Sequence, residues 1–115
     1  MKKLVLGLII FVGIIFIVGC GNKEMENELD KILKENNYIV VDVRTEEEYN
    51  TGHVVNSLNI PYDEIDEDTD LDKTKTILVY CKSGVRSNKA YNTLKSLGYN
   101  AYDLGAYDSV KLNKE

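Results

Sequence analysis

Two short uncharged runs, Tyr38-Ile39-Val40-Val41 and Thr76-Ile77-Leu78-Val79-Tyr80, constrain this chain more than any other feature. Each is continuously apolar rather than alternating, and rich in β-branched residues. Each therefore reads as a strand covered on both faces. Such strands belong to parallel sheets, whose successive strands are joined by helical crossovers. The intervening segments carry the helical signals. Thr45-Glu46-Glu47-Glu48 is a capping box that predicts a short helix, stopped by Gly52. Ala90, Tyr91, Leu94 and Leu97 mark one face of a second helix, with Gly98 at its end. Upstream, Met25, Leu29, Ile32 and Leu33 predict a helix over 23–35, ended by Asn36-Asn37. Residues 57–60 predict a short strand ended by Pro61, and residues 99–104 a last strand. Gly105-Ala106 reads as a turn and residues 107–112 as a final short helix. The expected class is α/β: a central, mostly parallel sheet with helices on both faces.

In such sheets ligands sit beyond the carboxyl ends of the strands. Cys81 lies at that end of its strand, and Asp42 at the same end of the first. Cys81-Lys82-Ser83-Gly84-Val85-Arg86 then leads directly into the second predicted helix. A strand, a short loop and a helix N-terminus can turn backbone N–H groups toward an anion. Lys82 and Arg86 add full positive charges, and Gly84 permits a turn that a side chain would block. All of this favours a Cys81 thiolate, the nucleophilic form. The alternative is a cysteine that serves only as a small core residue.

The ends and the charge balance narrow the setting. Lys2 and Lys3 precede an apolar stretch, Leu4 to Val18, which leads into Ile17-Val18-Gly19-Cys20. A basic start, a short apolar core and a small residue before the cut form a secretory leader over residues 1–19. The tetrapeptide resembles the bacterial lipobox, in which a lipid is attached to the cysteine, here Cys20. Residues 20–36 are then a lipidated tether and first helix, and residues 37–115 the folded domain. An uncleaved anchor is the competing reading, but the apolar stretch is shorter than the about 20 residues a bilayer needs. The expected location is the outer face of a cell membrane. With Cys20 lipidated, Cys81 is the only free thiol, so neither an internal disulfide nor a paired-cysteine metal site is possible. The chain has 14 basic and 19 acidic side chains, a net charge of −5. That balance argues against nucleic acid as a partner. Residues 63–72 are mostly Asp and Glu, but Lys73 and Val79 stand where a calcium loop needs Gly and Glu. The segment reads as a solvated loop, and no metal or cofactor is expected.

Taken in order, several short motifs resemble a single-domain rhodanese, of the sulfurtransferase family. They are Val41-Asp42-Val43-Arg44, Glu48-Tyr49, Gly52-His53, Asn59-Ile60-Pro61, Val79-Tyr80-Cys81 with Gly84 and Arg86, and Leu97-Gly98-Tyr99. The resemblance runs from about Tyr38 to Val110. It implies a three-layer fold around a parallel sheet, and a Cys81 that carries a sulfane sulfur as a persulfide. It also implies a small sulfur donor such as thiosulfate and an acceptor such as cyanide or a thiol. Lys82 and Arg86 would hold the donor's sulfonate, while Ser83, Gly84 and Val85 contribute backbone. Asp42 and Arg44 are expected to tie strand to loop, and His53 to belong to a structural turn. Related phosphatases resemble this fold with a loop one residue longer, and the span from Cys81 to Arg86 is the shorter one. The chain departs from the family in having Val55-Asn56-Ser57 for a Pro-Gly-Ala turn, and Gly105-Ala106-Tyr107 for Gly-Gly and a Trp. A non-catalytic binding module and, behind it, a phosphatase or arsenate reductase-like enzyme are the other readings.

Overall fold

The computed structural model describes residues 28–115. The expected leader, the lipidation site Cys20, the tether and the first turn of the upstream helix lie outside the described residues. Residues 28–35 are helical (α1), with Leu29, Ile32 and Leu33 half-buried. Asn36 ends the helix in the left-handed region, at φ +53°, which Asn adopts more readily than most residues.

From residue 37 onward the two continuous apolar runs form neighbouring strands. Tyr38–Asp42 (β1) pairs in parallel with Thr76–Cys81 (β3), with Val41 beside Val79 and Asp42 beside Tyr80. Leu58–Asn59 (β2) flanks β1, and Asn100–Ala106 (β4) flanks β3, so the order is β2-β1-β3-β4. Every pairing in the sheet is parallel. Glu46–Thr51 (α2) lies between β1 and β2 in sequence, and Val85–Ser96 (α3) between β3 and β4. The capping box forms as expected: the Thr45 hydroxyl accepts from Glu48 N–H and the Glu48 carboxylate accepts from Thr45 N–H.

Burial follows the two-sided pattern of β3. Ile77, Val79 and Cys81 join Val41, Ala90, Leu94 and Tyr99 in one cluster. On the other face Leu78 and Tyr80 are equally inaccessible. There the Tyr80 hydroxyl accepts from Val54 N–H at 3.0 Å, and its ring stacks on Tyr107 at 5.6 Å. Complete burial of a residue such as Ile77 or Leu94 contributes about 1.5–3 kcal/mol, so these positions fix the register.

The C-terminal third differs from expectation in two places. Gly105-Ala106 does not turn the chain: β4 continues through Ala106, with a bulge. Val79 pairs with Asp103 but Tyr80 pairs with Gly105, which leaves Leu104 unmatched. The Asp103 carboxylate accepts from Gly105 N–H at 2.9 Å, and Gly105 adopts φ +85°, so side chain and glycine together shape the bulge. The predicted final helix is a single 3-10 turn, Tyr107–Ser109. Beyond it the chain is drawn out alongside residues 53–55. His53 N–H donates to the Glu115 carbonyl, Glu115 N–H to His53, and Val55 N–H to Asn113. Those bonds require extended backbone and are incompatible with continuing the helix.

Candidate functional site

The connections of β1 and β3 leave in opposite directions along the sheet, β1 toward β2 and β3 toward β4. A crevice opens at such a point, beyond the carboxyl ends of the two strands. Residues 82–86 follow β3 there and residues 43–48 follow β1.

Cys81 has no exposed surface, and residues 82–84 cross from its strand into α3 above it. Gly84 N–H donates to its Sγ at 2.9 Å. Gly84 reaches that position at φ +99°, a region other residues enter only with strain, and it also caps α3. Burial works against ionisation of the Cys81 thiol. The Ser87 hydroxyl, the Ser87 amide and the amides of Gly84 and Ser83 overcome it, and the pKa lies below the ordinary thiol value. Ser87 is fully buried in the first turn of α3, and its hydroxyl also donates to the Gly84 carbonyl at 3.1 Å.

Arg86 makes a two-pronged ion pair with Glu48, Nη1 to Oε1 at 2.8 Å and Nη2 to Oε2 at 3.1 Å. The Arg86 bond, with the Thr45 amide and hydroxyl, outweighs the desolvation of the Glu48 carboxyl and holds its pKa at about 2. Arg86 and Cys81 feel one another's charge, but the guanidinium is already neutralised by its partner. The two cations expected beside the sulfur thus behave differently. Lys82 is exposed, Arg86 is half-buried and paired, and Ser83 and Val85 face outward.

Asp42 and Arg44 brace the opposite wall. Asp42 accepts from the Arg44 backbone N–H at 2.9 Å and from its Nη2 at 2.6 Å, and the same Nη2 donates to the Gly52 carbonyl at 2.6 Å. Burial opposes the Arg44 charge, but bonding to Asp42 prevails and raises its pKa above the usual value. Asn59 Nδ2 donates to the carbonyls of Asp42 and Arg44, which attaches β2 to the same unit. His53 stacks on Tyr49 with ring centroids 3.8 Å apart and donates through Nδ1 to the Tyr49 carbonyl at 2.8 Å. Its remaining nitrogen is 3.4 Å from the Glu115 carboxylate.

Two residues in this assembly carry no obvious sequence signal for it. Ser87 reads as an ordinary polar helix residue, although its place three residues after Gly84 puts it in the turn above the sulfur. Glu48 is legible as a capping residue, but its bond to Arg86 spans 38 positions.

The rhodanese-like domain family matches residues 25–112. Thiosulfate sulfurtransferase PspE of Escherichia coli is 39% identical over 62 residues, covering 51% of this chain and 60% of that protein. The tRNA uridine(34) hydroxylase of Erwinia tasmaniensis is 33% identical over 85 residues, covering 67% of this chain but 24% of the relative. The chain thus spans about a quarter of that hydroxylase. Among solved structures, an Escherichia coli rhodanese with anions superimposes with a TM-score of 0.62 at 30% identity, covering 68% of this chain and 96% of that one.

Proposed function

The chain belongs to the family of rhodanese-like domains, and on that premise we propose that it is a sulfurtransferase working through a persulfide on Cys81. The observation that carries this reading is the set of donors around one sulfur: Gly84 N–H at 2.9 Å, with the Ser83 and Ser87 amides and the Ser87 hydroxyl. A group of dipoles sized for one sulfur suits an ion that must be reactive yet held in place.

The Cys81 thiolate attacks the outer sulfur of thiosulfate or a similar donor. A new S–S bond forms as the donor's S–S bond breaks, and sulfite leaves with the bonding pair. The outer sulfur, now terminal and anionic, rests against the loop amides. A nucleophilic acceptor, cyanide or a thiol, then takes that sulfur and restores the thiolate. Loop N–H groups stabilise the anion before and after transfer, while the Asp42–Arg44 brace keeps the facing wall in place. No further cofactor is required. Hydroxylation of a tRNA uridine is not carried over from the longer relatives, since the match spans a quarter of their length and the net charge of −5 opposes a polyanion.

The test is thiocyanate formation from thiosulfate and cyanide by the full-length chain. Activity that disappears in Cys81→Ser supports the proposal. Absence of activity in the unaltered protein, with no sulfur adduct of about 32 Da on Cys81 after donor treatment, leaves the binding-module reading in its place. The cellular setting is part of the same proposal: a lipid on Cys20 holds the domain at the outer membrane face. Cys20→Ala is expected to release the protein from the membrane fraction, and unchanged retention would favour an uncleaved anchor.

A further inference from the structure

Arg86 is the cation best placed by sequence to bind a sulfonate, yet Glu48 occupies both prongs of its guanidinium. The Glu48 carboxylate is also tied to its own helix cap, accepting from Thr45 N–H at 3.0 Å. Thr45, which holds the Glu48 carboxylate, also lines a cleft with Glu46, Asn59, Pro61, Asp63 and Glu64, three of them acidic. The Asp42–Arg44 pair beside the loop is also charge-balanced. Within residues 82–86, what remains for an incoming donor is a set of backbone dipoles and the exposed Lys82. That is enough for one negative charge and poorly matched to two.

We propose that Glu48 is a specificity-determining residue which, by compensating Arg86, disfavours dianionic donors such as thiosulfate and selects monoanionic organic persulfides. The inference rests on the sulfurtransferase reading and narrows its donor class. The chemistry balances without an added oxidant. The Cys81 thiolate attacks the outer sulfur of the persulfide, one S–S bond replaces another, and the donor's thiolate leaves with the electron pair.

The test compares Glu48→Gln with the unaltered full-length protein. Second-order rate constants for sulfur uptake by Cys81 are measured by intact mass, with thiosulfate and with the persulfide of 2-mercaptoethanol. Gln preserves the shape and the acceptor for Thr45 but removes the charge. Losing one negative charge beside the approach favours a dianion over a monoanion by about tenfold at low salt, between the values for bulk water and for a protein surface. The thiosulfate-to-persulfide ratio is therefore expected to rise about tenfold, and the rise to shrink as KCl is added. An unchanged ratio, or a parallel loss with both donors, overturns the inference and leaves Glu48 as a support for Arg86. A second measurement needs no variant. In the unaltered protein KCl should raise the thiosulfate rate relative to the persulfide rate, and a fall overturns the inference. If the unaltered protein takes up sulfur from neither donor, the sulfurtransferase reading fails as well.

Discussion

Replacing Ser87 with Ala tests whether the loop tunes the sulfur or merely houses it. The Ser87 hydroxyl has one proton and two acceptors within reach, the Gly84 carbonyl at 3.1 Å and the Cys81 sulfur. When Cys81 ionises, the proton turns to the sulfur. A hydrogen bond to a charged group contributes about 1.5–3 kcal/mol, and the neutral bond given up about 1 kcal/mol. The net stabilisation of the thiolate is then about 0.5–2 kcal/mol, equivalent to about two- to thirtyfold in thiolate population. Ala removes a single atom from a buried helical site and favours the helix, so the fold should survive. The assay is the pH dependence of alkylation by iodoacetamide, a small neutral reagent. Near neutral pH the variant should react about two- to thirtyfold more slowly, with the rate at high pH unaltered. An identical pH profile would refute the reasoning. So would an equal slowing at every pH, which would mean that the substitution altered access rather than ionisation.

Three further outcomes follow from the same geometry. Asp42→Asn should destabilise the domain by about 3–5 kcal/mol in urea unfolding, because it leaves the Arg44 guanidinium buried without its counter-charge. Glu48, with a folded pKa of about 2 against 4.5 ordinarily, contributes stability that is present above about pH 4.5 and lost as pH falls toward 2. Its share is at most about 3 kcal/mol, and Glu48→Gln should flatten that limb of an acid-unfolding curve. Gly84→Ala should cost about 1–3 kcal/mol, since a φ of +99° strains any side chain. It should also slow Cys81 alkylation more than it lowers the melting temperature would suggest, as the displaced amide is the one that faces the sulfur.

What could be read in advance was whatever the chain signals locally. Ile39-Val40-Val41 and Ile77-Leu78-Val79 announce two-sided burial because no position in them tolerates water. The Thr45–Glu48 box announces its helix because both partners lie within one turn. Gly84 was legible for the same reason: loop, glycine and helix are contiguous. Glu48 closing on Arg86 is a tertiary bond across 38 residues, and the box supplied a sufficient local explanation for the glutamate. Of the two charges expected beside Cys81, Arg86 also takes a carboxylate within reach, that of Glu48, and Ser87 joins the expected amides around the sulfur. Gly105 announced a departure from regular geometry but not which one. The deciding signal was Asp103, two residues earlier, whose carboxylate holds the Gly105 amide in line with the strand instead of releasing the chain.

That bulge sets the parity of everything after it. Side chains alternate across a sheet, so the unmatched Leu104 reverses which side each later residue takes. Counted with it, Ala106 comes level with Cys81 and Tyr107 passes to the far side, where its ring lies 4.4 Å from the Arg44 guanidinium. Counted without it, odd and even would trade places: Gly105 instead of Ala106 would come level with Cys81, and Tyr107 would turn to the sulfur's side, so Arg44 would lose its aromatic ceiling. One supernumerary residue on an outer strand thus keeps the two sides of the sheet in step.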